Sequence, residues 1–200
     1  MDNKAMYKLS YGLFVLTAKD EKDNGCIINT ALQITTTPNR IIVVVNKGNY
    51  THDMILKTKA FNVSVLSERC TFDTFKHFGF QSGRDTDKFA DYVDCQRAEN
   101  GIFYITKGTN AYISGAVVET VDCGTHTMFI SDVTDAEVLS ADASVTYDYY
   151  QKNIKPKPGQ QEQKKGFRCR ICGYVYEGDE LPEDFICPIC KHGASDFERI

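Results

Sequence analysis

The sequence predicts a mainly β protein: a closed or nearly closed β-barrel with a few short helices, followed by a small metal-stabilised module. Many short apolar runs are separated by Gly and Asn turns, which leaves room for only two or three helices. A polar, lysine-rich segment with two prolines follows, and two Cys-x-x-Cys pairs lie beyond it. We therefore divide the chain into a barrel domain (1–151), a flexible linker (152–166) and a C-terminal module (167–200).

The first strands are predicted from apolar runs and a turn signal. Residues 11–18 and 26–32 form a hairpin in this interpretation, with Asn24-Gly25 as the turn dipeptide within residues 19–25. Residues 41–45 are apolar at every position, so we expect both faces of that strand to be covered. Residues 60–66 alternate between apolar and polar, as a half-buried strand does.

Two helices and a loop are predicted between and after these strands. Residues 52–59 form a helix with Thr51 as its N-cap, and its N-terminus with nearby Lys47 could hold a phosphate. An ordinary capped helix with a solvated lysine explains the same residues. Phe72, Phe75 and Phe78 recur as the core stripe of a short helix. Residues 79–89 are glycine-spaced and charged, which favours a binding loop. Further strands are predicted at 102–105, 111–121 and 126–133.

The eight cysteines fall into two groups. Cys26, Cys70, Cys95 and Cys123 match no metal motif, and we interpret them as reduced, partly buried side chains. The metal-ligand candidates are Cys169, Cys172, Cys187 and Cys190, two pairs that are separated by fourteen residues. Two such turns can supply the four corners of a tetrahedron. Spacing alone leaves zinc ahead of iron, and a pair of disulfides is the structural alternative.

The residues around these cysteines form a recognisable pattern. Cys-x-x-Cys-Gly-Tyr-x-Tyr, Leu-Pro-x-Asp-Phe, Cys-Pro-x-Cys and Ser-Asp-Phe follow one another in residues 169–197. This pattern resembles rubredoxin, a small electron carrier with one iron in four cysteines. The stretch between the pairs is shorter than in free-standing rubredoxins, so the iron is expected to be more exposed. A module of this size needs its metal to fold.

Charge and composition restrict the function classes. The net charge is −4, and residues 167–200 carry seven acids against four bases, a net of −3. A nucleic-acid partner is therefore not expected, whereas an acidic docking face for a redox partner, or acids that serve solubility alone, both fit. The N-terminal residues show no signal-peptide pattern, and no run of about eighteen apolar residues occurs. We expect a cytoplasmic protein without a membrane span.

Residues 1 to about 150 resemble the flavin reductase-like family, whose members have an FMN-binding split β-barrel. Five stretches carry the resemblance in the family's order: 10–17, 24–30 with Gln33, 46–47 with 51–52, 82–89, and 124–129. The flavin-binding residues that it implies are Asn29, Thr30 and Gln33 for the ring and ribityl chain, Asn46, Lys47 and Thr51 for the phosphate, and Ser82, Arg84 and Lys88 over the phosphate or the nicotinamide. His126 would lie where the reductant docks, although a lone histidine beside a strand is more often structural.

Both domains together resemble the high-molecular-weight rubredoxins of anaerobes. The resemblance implies an NAD(P)H:rubredoxin-type oxidoreductase that uses FMN and one iron ion, with a flavo-diiron oxygen or nitric oxide reductase as the acceptor. It also implies a homodimer. Two alternatives stay open: an FMN-containing relay that another enzyme reduces, and a reductase of free flavin with a structural zinc tail.

Overall fold

The computed structural model describes residues 2–156, 166–189 and 192–200. In chain order the strands are β1 (Phe14–Lys19), β2 (Asp23–Ile28), β3 (Ala31–Thr36), β4 (Asn39–Asn46), β5 (Ala60–Leu66), β6 (Cys95–Arg97), β7 (Phe103–Ile105), β8 (Thr109–Asp122), β9 (His126–Val138), β10 (Phe167–Cys169), β11 (Val175–Tyr176) and β12 (Phe197–Arg199). The α-helices are α1 (Tyr50–Thr58), α2 (Phe72–Gly79) and α3 (Tyr147–Tyr149), which continues into a π-helical turn, Tyr150–Ile154. Short 3-10 turns lie at Asn3–Lys8 and Ala194–Asp196.

The barrel domain is built on one seven-stranded sheet with the order β2-β1-β5-β8-β9-β4-β3. Its two edge strands, β2 and β3, are joined in the chain by only two residues. Because strands at opposite ends of the order must meet at this connection, the sheet curls round on itself. No ladder joins β2 to β3 in the described sheet, so the barrel is split along this seam. The predicted mainly β, split-barrel fold is confirmed.

The first hairpin is formed by β1 and β2, but its turn lies earlier than predicted and its return strand ends at Ile28, because Ala31 and Leu32 belong to β3 and pair with β4. Asn24 pairs with Ala18 and Gly25 with Thr17, so the Asn24-Gly25 dipeptide belongs to β2 and the turn lies at residues 20–22. A β-carbon on Gly25 would lie 3.1 Å from the Phe78 ring. The glycine therefore serves the close packing of α2 against β2, and the prediction of a turn at this dipeptide was wrong.

Two apolar clusters lie on opposite faces of β1. Leu16, Val43, Phe61 and Phe129 belong to the cluster inside the barrel, to which α1 adds Met54 and Ile55. On the outer face α2 packs Phe75 and Phe78 against Val15, Leu66 and Tyr150. β1 is consequently buried on both faces. In β4, by contrast, Ile42 and Val44 are only half-buried, so the expectation that both faces of residues 41–45 are covered holds for one face alone.

The helices begin and end close to the predicted residues. Helix α1 begins at Tyr50, with Asn49 as its N-cap instead of Thr51, and ends at Thr58. Lys59 is its C-cap and adopts a left-handed conformation with φ of 58°. The helix predicted from Phe72, Phe75 and Phe78 is confirmed as α2. Within the described part of the chain, no helix has both the length and the apolar character that crossing a bilayer requires.

The C-terminal module contains a three-stranded sheet with the order β11-β10-β12. Phe185 packs its ring against Tyr174, Tyr176 and Phe197, with centroids 6.4, 4.8 and 5.3 Å away. Such a small aromatic cluster is too little to stabilise the module alone. The domain division stays a prediction: residues 157–165 of the predicted linker lie outside the described residues, and 152–154 complete the π-helical turn.

Candidate functional site

A cavity of about 330 Å³ opens on the barrel domain beside the start of α1. This volume is within the range of small-molecule and cofactor sites. Strand β2, the β4–α1 junction, the loop after α2, and the C-terminal helical turn all contribute to its wall. These segments are far apart in the chain, and closure of the barrel brings them together.

The N-terminus of α1 forms one side of this cavity, which residues 48–51 line. Asn49 makes no side-chain hydrogen bond to the helix, and the Gly48 N–H donates instead to Asn46 Oδ1 at 2.8 Å. The first N–H groups of a helix have no partner within it, and they carry the positive end of the helix dipole. This end of α1 therefore suits an anionic group such as a phosphate.

A buried polar group lies beside this helix end. Asn24 is 2% exposed and lines the cavity, and its Nδ2 donates to Thr51 Oγ1 at 2.9 Å. Among the residues that the structure describes, none bonds to Asn24 Oδ1. An unsatisfied buried acceptor costs about 1–3 kcal/mol, so a ligand N–H at this position would be stabilised. Burial raises the pKa of neighbouring Cys26, which keeps its thiol protonated and apolar at neutral pH.

Three cationic side chains attach the loop of residues 79–89 to the barrel. Lys22 Nζ donates to the Gly83 carbonyl at 2.7 Å, and Arg84 Nη2 bonds Asp53 Oδ2 at 2.6 Å. Lys88 is 3% exposed, and its Nζ donates to the carbonyls of Gly25 and Phe78 at 2.8 and 2.9 Å. The loop is thereby held over the cavity at three points.

The burial of Lys88 makes stability depend on pH. Desolvation lowers the pKa of Lys88 from 10.5 to about 8. Between these values the unfolded chain binds the proton and the folded chain releases it, so the free energy of unfolding rises as pH increases from about 8 to about 10.5. Below pH 8 the amine is charged in both states and this gain is absent.

We expect Lys88→Met to lower the free energy of unfolding at pH 7 by about 2 kcal/mol, because two buried carbonyls lose their donor. The variant should also lose the rise in stability between pH 8 and 10.5. Urea unfolding at several pH values measures both effects. Lys107→Met, at a lysine whose side chain is 72% exposed, is the control. An unchanged pH profile in Lys88→Met would contradict the assignment.

Positive charge collects at the mouth of the cavity. Lys22 Nζ and the Arg84 guanidinium each lie 5.2 Å from the centre of the Tyr50 ring. Tyr50 lines the cavity at the start of α1. Asp53 pairs with Arg84 at 2.6 Å, so the two cations leave a net positive charge beside the helix N-terminus, which favours phosphate-bearing molecules.

The structure brings some of the predicted flavin residues to this cavity and places others elsewhere. Asn46, Thr51, Ser82 and Lys88 line it. Arg84 lies at its mouth on Asp53, and Lys47 pairs with Asp122 at 2.8 Å. The role of each residue stays a prediction.

Three other predicted residues lie towards the seam of the barrel. Asn29 and Thr30 form the connection between β2 and β3, and the two side chains bond each other at 3.1 Å. Gln33 lies on β3, where its Nε2 donates to Asn39 Oδ1 at 2.8 Å and it lines a second, apolar cavity of about 240 Å³. None of these three belongs to the described lining of the first cavity.

His126 begins β9, opposite Asn46 of β4. Its Nδ1 lies 2.9 Å from Thr125 Oγ1, and burial lowers its pKa, which favours the neutral ring. It is not among the described residues that line the cavity. Sequence reasoning also missed Asn24 and Tyr50 as cavity residues. Asn24 is assigned to the predicted turn. The residues around Tyr50 give no local signal that its side chain lines a cavity.

The C-terminal module brings three of the four predicted metal ligands together. The Sγ atoms of Cys169, Cys172 and Cys187, which we call the cysteine cluster, all lie within 4.8 Å of one another. Cys172 Sγ is 3.5 Å from Cys187 Sγ, far beyond a disulfide bond of about 2.0 Å. It is close to the edge of about 3.8 Å that a thiolate tetrahedron with metal–sulfur bonds of about 2.3 Å would have. Cys190 lies outside the described residues.

The cysteine cluster also borders the cavity. Cys172 lines it, together with Ile171 from the first Cys-x-x-Cys turn and Pro188 and Ile189 from the second. The candidate metal site and the candidate cofactor site therefore share a wall. The donor atoms fit a thiophilic metal on one side, and the helix N-terminus with the unsatisfied Asn24 acceptor fits a phosphorylated, N–H-bearing ligand on the other.

Comparison with known proteins matches two stretches of the chain to two family models. Residues 6–157 match the model of the flavin reductase like domain, and residues 167–198 match the rubrerythrin, rubredoxin-like domain. The chain is 39% identical over 230 aligned positions to a high molecular weight rubredoxin of Moorella thermoacetica, with 100% of both chains covered. It is 38% identical over 152 residues to a ferric-chelate reductase (NAD(P)H) of Archaeoglobus fulgidus, covering 75% of this chain and 89% of the relative.

Among solved structures, the NADH:FAD oxidoreductase SgcE6 of Streptomyces globisporus C-1027 superposes with a TM-score of 0.66. The alignment covers 72% of this chain and 84% of that one, at 23% identity. At this identity the likeness establishes the fold of the barrel domain.

Proposed function

Because the chain belongs to the flavin reductase-like family and carries a rubredoxin-like domain at its C-terminus, we propose that it is an NAD(P)H-dependent electron-transfer oxidoreductase of the cytoplasm. In this proposal FMN occupies the cavity beside α1, and one iron ion occupies the cysteine cluster together with Cys190. The product of the reaction is a reduced iron centre that serves a separate acceptor protein.

The observation that supports this proposal most strongly is the shared wall. A sulfur ligand of the candidate iron site, Cys172, lines the cavity that we assign to FMN. A zinc ion that only stabilised the module would not require one of its cysteine ligands to line the cofactor cavity. When bound, FMN would supply the conversion between two-electron hydride chemistry and the single-electron transfer that a one-iron site requires.

The chain's own residues would hold and orient the flavin. The N–H groups at the start of α1 would bind the phosphate, with the Ser82 hydroxyl as a further donor. Asn24 Oδ1 would accept a hydrogen bond from the ligand. Cys26 and the apolar residues that line the cavity would exclude water from the bound flavin. We retain Asn29, Thr30 and Gln33 as proposed contacts to the ring and ribityl chain, and His126 as a proposed contact to the reductant.

The partners follow from charge. Lys22 and Arg84 at the cavity mouth suit the phosphates of NAD(P)H. On the module, five exposed acids lie in the stretch between the two Cys-x-x-Cys pairs: Glu177, Asp179, Glu180, Glu183 and Asp184. They would form an acidic docking face for the acceptor, for which we propose a flavo-diiron oxygen or nitric oxide reductase. Mixing the reduced protein with such a reductase tests this, and an unchanged rate of iron oxidation would count against it.

We also propose a homodimer through the outer face of β3. Leu32 and Ile34 on this strand are 60% and 48% exposed, and the apolar second cavity lies beside them. Exposed apolar side chains grouped on an edge strand favour association. A monomer in sedimentation experiments would contradict this.

The decisive experiment is a visible spectrum of anaerobic, FMN-loaded protein before and after NADH or NADPH. We expect a red ferric tetrathiolate spectrum that bleaches together with the flavin. Bleaching that needs a second enzyme would favour the relay. Colourless, zinc-containing protein that still reduces free flavin would favour the flavin reductase with a structural tail.

A further inference from the structure

Lys155 occupies an unusual place between the two domains. It follows the π-helical turn Tyr150–Ile154, and its N–H donates to the Tyr150 carbonyl at 2.8 Å. Tyr150 is 7% exposed and packs on Phe75 of α2, with ring centroids 4.4 Å apart. The backbone of Lys155 is therefore attached to the barrel domain.

The side chain of Lys155 reaches the module. A β-carbon added to Gly173 would lie 3.9 Å from Lys155 Nζ. Gly173 has a φ of 81° and directly follows Cys172, so it forms the turn that presents this sulfur. Lys155 and Cys172 also line the same cavity. The ammonium group thus faces the turn that carries one ligand of the cysteine cluster.

The charges of the two sides are complementary. Four thiolates around one iron ion would give the metal site a net negative charge, and reduction by one electron would add one further unit of negative charge to it. Within the described ranges, no carboxylate forms an ion pair with Lys155, whereas Lys152, on the same turn, is paired with Asp148 at 2.6 Å. Lys155 is consequently available to the cluster, and Lys152 is not.

The surface around this contact is apolar. Ile171, Pro188 and Ile189 line the cavity from the module side, and Ile171 remains 54% exposed. Apolar side chains give contacts with little directional preference, so a charged group beside them determines how the module is oriented on the cavity. The module therefore covers the cavity with the edge that carries Cys172, and one lysine of the barrel side stands beside that edge.

We propose that Lys155 is a positioning residue that holds the iron-bearing edge of the module over the flavin cavity and favours the reduced state of the iron. This inference rests on the proposed function. In the step concerned, the reduced flavin loses one electron and a ferric ion gains it to become ferrous. Lys155 stabilises the added negative charge without taking part in electron or proton transfer.

The test compares Lys155→Glu with Lys155→Arg and with the matched control Lys152→Glu. After NADH is mixed with the full-length, iron- and FMN-loaded protein under anaerobic conditions, iron reduction in Lys155→Glu should slow by about three- to tenfold. Flavin bleaching should keep the wild-type rate. The reduction potential of the iron should shift to a more negative value. Lys155→Arg and Lys152→Glu should both keep the wild-type rate of iron reduction and the wild-type potential.

The outcomes separate this inference from the proposed function. An unchanged potential and rate in Lys155→Glu, or equal shifts in Lys152→Glu, would overturn the role of Lys155. If NADH does not bleach the wild-type flavin, the proposed function fails alone, because a dithionite titration of the iron still reports on Lys155. A wild-type protein that binds no iron would overturn both.

Discussion

Cys187→Ala is expected to abolish metal binding and unfold the C-terminal module while the barrel domain stays folded. The Cys187 side chain is completely buried, and its Sγ belongs to the cysteine cluster. The module has little apolar core besides Phe185 and the three rings around it, so metal binding supplies most of its folding energy, about 10–16 kcal/mol in comparable small metal-binding domains. Removing one of four ligands should reduce the iron content to less than about a tenth of wild type.

Metal analysis and the visible spectrum measure the loss, and limited proteolysis reports the unfolding of the module. Cys123→Ala is the matched control, because Cys123 is exposed at the β8–β9 turn and lies outside the cysteine cluster. FMN bleaching by NADH should survive in both variants. Full iron content in Cys187→Ala would refute the assignment of the ligands.

Ser82→Trp is expected to weaken FMN binding at least about a hundredfold, which corresponds to about 2.7 kcal/mol. Ser82 lines the cavity from the loop after α2. An indole at this position would occupy space that the flavin needs within about 330 Å³. Because Ser82 lies in a surface loop instead of the core, the barrel should keep its stability.

Flavin fluorescence titration of the apoprotein gives the affinity, and urea unfolding checks the fold. Asp85→Trp adds the same ring to the same loop at an exposed position that does not line the cavity, so its affinity for FMN should equal wild type. If Ser82→Trp binds FMN normally, the flavin lies elsewhere. The seam near Asn29, Thr30 and Gln33 would then be the site to examine.

The metal site illustrates what local sequence can predict. Cys169 and Cys172 are three residues apart, and a tight turn suffices to bring their thiolates together. The sequence therefore identified Cys169, Cys172 and Cys187 before any tertiary contact was known, and the structure gathers their sulfurs. Strands and helices were predicted for a similar reason, since apolar periodicity reflects which face of each element is buried.

The contents of the cavity illustrate what local sequence cannot predict. Asn24 reads as part of a turn dipeptide, yet in the folded chain it pairs with Ala18 in the ladder and bonds Thr51. β1 is buried on both faces because α2 packs on its outer side. The sequence of β1 does not predict which element covers that face. These relationships depend on contacts between residues that are distant in the chain.

By itself the sequence determined the class of fold, the presence of a flavin reductase-like and a rubredoxin-like part, and the candidate cysteine ligands, because each of these is encoded in short local patterns of residues. Only the tertiary structure decided that β2, the start of α1, the loop after α2 and the turn before Lys155 enclose one cavity, and that Cys172 forms part of its wall. The physical reason is closure: a curled sheet joins distant segments at its seam and ends, and no local preference specifies which side chains will meet there.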